Sequence, residues 1–118
     1  MEYHLYLNPR PFEAIKKGIK KVEGRVPVNL DKNMRFDKFK AGDMIVFINR
    51  ENEETMKVKI LGVRHYKNVR SMLEAEGTKN VLSSHGTIEQ GIASYNSLDG
   101  YKEGIEKYGI YAIEFVKT

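Results

Sequence analysis

Apolar and polar residues alternate with a period of two in several segments of the chain, a pattern typical of β-strands with one buried face. Five segments predict strands: Tyr3–Leu7, Lys20–Pro27, Met44–Arg50, Thr55–Tyr66 and Tyr108–Val116. Only the polar residues Glu51–Glu54 separate the third and fourth strands, so these two are expected to pair as a hairpin. No segment is apolar over the length that a transmembrane helix needs.

Helical spacing of apolar residues predicts short helices between these strands. They are expected at Pro11–Lys17, Val69–Glu76, Thr87–Ser97 and within Leu98–Lys107. Gly18 suits the end of the first helix, because glycine readily adopts the left-handed conformation found there. Thr87, with Gln90 three residues later, matches a capping box. Arg10 precedes Pro11 and is therefore expected to be extended.

Mostly antiparallel strands mixed with short helices predict the α+β class. The 118 residues fit one domain, residues 1–118, which is long enough to bury a core without covalent cross-links. The expected architecture is a small mixed, mostly antiparallel β-barrel or curved sheet of five or six strands, because closure removes exposed strand edges.

The chain contains no cysteine. This excludes disulfides, thiolate nucleophiles and zinc sites of the cysteine type. The histidines His4, His65 and His85 are scattered and lack a metal-binding spacing, so neither a metal nor another cofactor is expected. The N-terminal residues do not form a secretory leader pattern, and a cytoplasmic location is predicted.

Basic residues are concentrated near the N-terminus. The net charge of the chain is +4, and residues 10–25 alone hold six Lys or Arg against two Glu, which equals that whole excess. A basic patch attracts phosphate, so nucleic acid or a nucleotide-like ligand is one interpretation. The other interpretation is a solvated face that only keeps the protein in solution.

The segment Gly18–Arg25 fits the pattern G-x-K-x-x-E-x-R. It follows a predicted helix, while the turn Lys40–Asp43 leads into an apolar strand and the chain ends in an aliphatic and aromatic strand. With these features the sequence resembles the ASCH domains, a branch of the PUA-like β-barrel proteins. The resemblance implies a cleft on one side of the barrel, lined by Gly18–Arg25, that takes RNA or a nucleotide-like ligand.

The candidate ligand-binding residues are Gly18, Lys20, Glu23, Arg25, Arg10, Lys21 and Tyr66. Lys20 is a point charge suited to phosphate, Arg25 offers a planar fork, and Glu23 can accept hydrogen bonds from a base edge. Tyr66 ends a long strand, where a base could stack on it. The alternative is that Glu23 and Arg25 form a surface ion pair of little energetic value.

Strand parity sets a condition on a shared site. On a regular strand the side chain of Lys20 points away from the face that carries Glu23 and Arg25. A cleft shared by all three therefore requires a turn or bulge near Lys20–Lys21.

Two alternative functions remain open. The first is a small hydrolase acting on RNA or on a modified cytidine nucleoside, as a ribonuclease or an amidohydrolase, with Lys20 and Glu23 catalytic. The resemblance implies a Lys, a Thr and a later Glu in amide-cleaving relatives. Here Glu23 occupies the place of that Thr, and Glu74 and Glu76 are the candidates for the later acid.

The second alternative is a protein-interaction module whose basic patch meets an acidic partner. The sequence contains no long amphipathic helix that demands such a partner. The resemblance also suggests that the loop Ser83–Gly86 covers the cleft.

Overall fold

The computed structural model describes residues 1–83 and 86–118. Its strands are β1 (Glu2–Leu7), β2 (Val22–Arg25), β3 (Met44–Asn49), β4 (Thr55–Tyr66) and β5 (Ile110–Lys117). Its α-helices are α1 (Pro9–Lys16), α2 (Val69–Glu76), α3 (Thr78–Val81), α4 (Ile88–Asn96) and α5 (Tyr101–Tyr108), with 3₁₀ turns at Asn29–Asp31 and Phe36–Lys38. None of the helices in the described ranges has the length and apolar character needed to cross a membrane.

The strands form one curled sheet in the order β1-β3-β4-β5-β2. β1 lies parallel to β3, and the remaining three pairs are antiparallel. The predicted α+β class and the mostly antiparallel half-barrel are thereby confirmed, as is the hairpin of β3 and β4. β1 and β2 are the two edges of the sheet, and a guanidinium N–H of Arg25 on β2 donates to the carbonyl of Tyr6 on β1 at 2.7 Å. Among the described residues, the side chain of Arg25 thus connects two sheet edges that strand pairing leaves unconnected.

The core has two parts, and β5 contributes to both. Phe12 of α1 and Phe47 of β3 belong to the first cluster, in which Phe47 packs edge-on against Phe115. Met72 of α2 and Tyr95 of α4 belong to the second cluster, between the helices and the β2–β5 side of the sheet. Burying each large apolar side chain contributes about 1.5–3 kcal/mol, so the two clusters fix the sheet and its helical layer together.

The first helix begins two residues earlier than predicted, so the expectation that Arg10 is extended is wrong. Asn8 is the extended residue before the helix, with φ −64° and ψ 157°, and Pro9 is the first helical residue. Pro9 and Pro11 both lie in the first turn, whose N–H groups have no acceptor within a helix, so neither proline costs a hydrogen bond. The four-residue helix α3 is too short to give a periodic signal and was not predicted.

Strand β2 is shorter than the predicted strand Lys20–Pro27. The chain leaves α1 through Gly18 with φ +78°, and the N–H groups of Ile19 and Lys20 both donate to the carbonyl of Ala14, at 2.9 and 3.1 Å. This irregular backbone is the break that a shared site requires near Lys20–Lys21. Regular strand pairing starts only at Val22. The alternation of side chains along a strand therefore does not force Lys20 onto the face opposite Glu23 and Arg25.

Gly24 provides a direct test of how closely α4 packs on β2. A methyl group at this position would lie 2.6 Å from the hydroxyl oxygen of Tyr95 and 3.2 Å from Cδ1 of Ile110. We expect Gly24→Ala to lower the free energy of unfolding by about 1–3 kcal/mol, measured by urea denaturation. Because Tyr95→Phe removes the nearest atom, the loss should be smaller in that background. Equal losses in the two backgrounds would refute this packing.

Candidate functional site

A cleft of about 920 Å³ opens between the two edges of the sheet. Its walls come from the β1–α1 connection, from β2, from the turn Asn29–Asp31 and from helices α4 and α5. The volume lies within the range of pockets that hold small molecules or cofactors. The cleft is therefore large enough for a nucleotide unit.

Lys20, Glu23 and Arg25 come together at this cleft as a chain of ion pairs. Lys20 Nζ lies 3.2 Å from Glu23 Oε1, and Arg25 Nε lies 2.8 Å from Glu23 Oε2. All three residues are buried, with exposed fractions of 4%, 7% and 6%. The alternative of a solvated surface ion pair is therefore wrong.

Arg25 extends the network through its other two nitrogens. Nη1 donates to Asp31 Oδ2 at 2.8 Å, and Nη2 donates to the carbonyl of Tyr6 at 2.7 Å. The planar fork of arginine thus connects β2 to the 3₁₀ turn and to β1. We call Lys20, Glu23, Arg25 and Asp31 the ion network. The sequence did not predict a role for Asp31, because a single acidic residue in a loop belongs to no periodic pattern and no motif.

Lys20 has an acceptor for each of its three N–H groups. Its Nζ donates to the carbonyl of Val22 at 2.9 Å and to the carbonyl of Val81, and it pairs with Glu23. Burial lowers the pKa of Lys20, while the charge of Glu23 acts in the opposite direction. Lys20 therefore ties α3 to β2, and it could bind a ligand only by giving up a protein partner.

Glu23 is held in its charged form by its two cations. Burial is the largest single influence and opposes ionisation, but the charges of Lys20 and Arg25 together lower the pKa of this carboxyl. Two tyrosines border the same part of the cleft. Burial raises the pKa of Tyr101 to about 12 and also raises the pKa of Tyr95. At neutral pH the floor of the cleft thus combines paired charges with neutral hydroxyls.

The rim of the cleft carries arginines and exposed apolar side chains. Arg10 and Arg50 are exposed, and the backbone of Arg50 is fixed beside β1 by an N–H donated to the carbonyl of Leu7 at 2.8 Å. Tyr6 is 46% exposed on the same side. Arginines suit phosphate and an exposed aromatic ring suits a base. Arg50 and Tyr6 were missed because only the parallel pairing of β1 with β3 brings them together.

Other predicted residues lie elsewhere. Gly18 and Lys21 line a second groove of about 470 Å³ rather than the main cleft. Tyr66 lines neither cavity. Its hydroxyl donates a hydrogen bond to the carboxylate of Glu76, which also accepts one from Arg64. Glu76 is thus engaged away from Lys20.

The loop that was expected to cover the cleft is described only at its ends. Ser83 and Gly86 border both cavities, whereas Ser84 and His85 lie outside the described residues. Within residues 1–83 and 86–118, no group of three or more His, Asp or Glu side chains is placed to hold a metal ion.

A family model for the ASCH domain matches residues 5–118 of the chain. The chain belongs to the ASCH domain family. Among solved structures, this ASCH domain is similar to "hypothetical protein PH0355", with 36% identity over 100% of both chains and a TM-score of 0.81. It is also similar to protein PF0455 from Pyrococcus furiosus, with 37% identity over 99% of this chain and 97% of that one, and a TM-score of 0.68. No curated protein matches the chain.

Replacing Arg25 with lysine tests whether the fork stabilises this ASCH domain. A lysine keeps the charge but cannot reach Glu23, Asp31 and the Tyr6 carbonyl together, so we expect a loss of about 3 kcal/mol in urea unfolding. Arg35→Lys is the matched control, because Arg35 pairs with Asp37 two residues away on the exposed surface. Equal stability of the two variants would contradict a structural role for the ion network.

The pH dependence of stability tests the charge of Glu23. Its pKa in the folded state is lowered from 4.5, so its stabilising effect is present above that value and is lost as the pH falls below it. We expect Glu23→Gln to be less stable than wild type at pH 7, with a difference that shrinks as the pH falls below 4.5 in pH-resolved denaturation. Glu106→Gln, on the exposed face of α5, should follow the wild-type curve. A difference that stays constant with pH would rule out an ionised Glu23.

Proposed function

We propose that this ASCH domain binds RNA or a nucleotide-like ligand in the main cleft, with one nucleotide unit above the ion network. The observation that carries the proposal is a cleft between two sheet edges with a charge-paired floor and an arginine-bearing rim. Membership of the ASCH family, whose domains generally bind RNA, supports the ligand class.

The charges of the floor explain where a phosphate would bind. The ion network contains two cations and two carboxylates, so it has no net charge to attract an anion. Arg10 and Arg50 at the rim carry positive charge, and the guanidinium fork of Arg50 can bind two phosphate oxygens. In this proposal Lys20 and Arg25 shape the floor, and the phosphate lies at the rim.

In this proposal the base lies in the interior of the cleft. Glu23 uses one oxygen for each cation, and a carboxylate oxygen has further lone pairs that can accept from a base edge. Gln90 and Ser94 of α4 add polar groups to the wall, and Tyr6 offers a stacking surface at the entrance. This arrangement of a polar interior and a cationic rim suits a nucleotide.

The hydrolase alternative has no comparable support. Its proposed catalytic residues, Lys20 and Glu23, already neutralise each other, and Lys20 has protein acceptors for all of its N–H groups. Glu76 does not line the cleft. The proposed function therefore includes no reaction.

Removing the rim charges tests the proposal. We expect the double variant Arg10→Ala with Arg50→Ala to bind fluorescein-labelled short RNAs about tenfold more weakly in anisotropy titrations, with a salt slope reduced by about 2. Both side chains are exposed, and melting temperatures of wild type and variant check that the fold is retained.

The control for this experiment is Lys38→Ala with Lys59→Ala. This variant removes the same charge from exposed positions that line neither cavity. An equal loss of affinity in both double variants would mean that only net charge matters, and unchanged binding in the arginine variant would refute the cleft as the binding site.

A further inference from the structure

The second groove shares part of its wall with the main cleft. Leu82, Ser83 and Gly86 line both cavities. The groove otherwise lies between the α1–β2 connection, residues 18–21, and helix α3. Its volume of about 470 Å³ is enough for a second small ligand unit. The two cavities therefore lie next to each other.

The groove is cationic, and its described lining contains no carboxylate. Lys21 and Lys79 reach it from two different segments, and both are exposed. Ile19, which is 52% exposed, adds an apolar surface, and Thr78 and Asn80 add polar groups. This combination of free positive charge and apolar surface differs from the charge-paired floor of the main cleft.

Hydrogen bonds hold the two sides of the groove together. The N–H of Lys21 donates to the carbonyl of Asn80 at 2.8 Å, and the carbonyl of Lys21 accepts from the N–H of Phe115 at 3.2 Å. Lys20 adds its contacts to Val22 and Val81 from the opposite side of the same wall. These bonds fix the backbone of residues 20–22 relative to α3 without a ligand, which reduces the entropy cost of binding on this side of the groove.

Consecutive lysines therefore serve different cavities. Lys20 points inward to the ion network, and Lys21 points outward to the groove. Gly18, with its positive φ, allows the chain to turn between α1 and this wall. The segment Gly18–Arg25 is thus a partition that lines the main cleft on one side and the second groove on the other.

We propose that the second groove is a subsite for the same RNA strand, in which Lys21 and Lys79 contact backbone phosphates and Ile19 contacts a base. This inference rests on the proposed function and narrows it: the ligand is a single-stranded RNA segment that spans both cavities. Bases that enter two recesses separated by a partition must be unstacked, which a duplex does not allow.

A length series tests the inference. The wild-type protein is titrated with uridine and adenosine monophosphates and with single-stranded RNAs of increasing length. We expect the oligonucleotides to bind more tightly than the monophosphates. Lys21→Ala with Lys79→Ala should weaken oligonucleotide binding about tenfold and lower its salt slope by about 2, while leaving monophosphate affinity within about twofold. Lys38→Ala with Lys59→Ala again controls for charge, and melting temperatures check the fold.

The outcomes separate this inference from the proposed function. The groove subsite is refuted if oligonucleotides bind no more tightly than monophosphates. It is also refuted if the Lys21 and Lys79 variant binds RNA like wild type while the Arg10 and Arg50 variant binds more weakly. In that second case the main cleft remains the binding site. If the Arg10 and Arg50 variant also binds as wild type, the proposed function itself fails. Tighter binding of a duplex than of its single strands would overturn the single-stranded assignment.

Discussion

Glu23 lies between two cations inside the protein, and Arg25 carries the charge pairing onward to Asp31 and to the carbonyl of Tyr6. Buried charges cost several kcal/mol each unless their partners are well placed, so this network tolerates few arrangements of the chain. It connects strand β2, the opposite edge strand β1, the 3₁₀ turn and, through Lys20, helix α3. The shape of the main cleft follows from these connections, because each connected element forms part of its wall.

Burial divides the basic residues near Gly18–Arg25 into two groups. The inward-facing side chains Lys20, Glu23 and Arg25 pair with one another and with Asp31, whereas the side chain of Lys21 is exposed. The basic residues in 10–25 thus include two buried members, Lys20 and Arg25, and several exposed ones. The buried members connect β2 to β1 and to α3, and in the proposed function exposed basic residues attract phosphate.

Local patterns in the sequence were sufficient for much of the fold. The bounds of β4 and α2 match the predicted segments, and the capping box of Thr87 and Gln90 forms as expected. In each case the signal is contained within a few neighbouring residues. The helical Arg10 shows the limit of such local rules, because a second proline at residue 9 shifted the start of the helix.

The features that the sequence did not reveal depend on contacts between distant segments. The partner of Lys20 at Val81 lies 61 residues away, and the acceptor of Arg25 at Tyr6 lies 19 residues away. The resemblance placed Lys20, Glu23 and Arg25 at a cleft, but their mutual neutralisation needs three-dimensional geometry. Arg50 and Tyr6 become neighbours of the site only through the parallel pairing of β1 and β3.

The most direct test of the account is the amide shift map of the ¹⁵N-labelled protein in a titration with a short single-stranded RNA. The account predicts that perturbed amides concentrate at the rim and wall of the main cleft, at Tyr6, Arg10, Arg50 and Ser94, and that Lys21 and Lys79 shift with the oligonucleotide but not with a monophosphate. Perturbations confined to other surfaces, such as the exposed positions of β4 at Lys57 and Lys59, would contradict it.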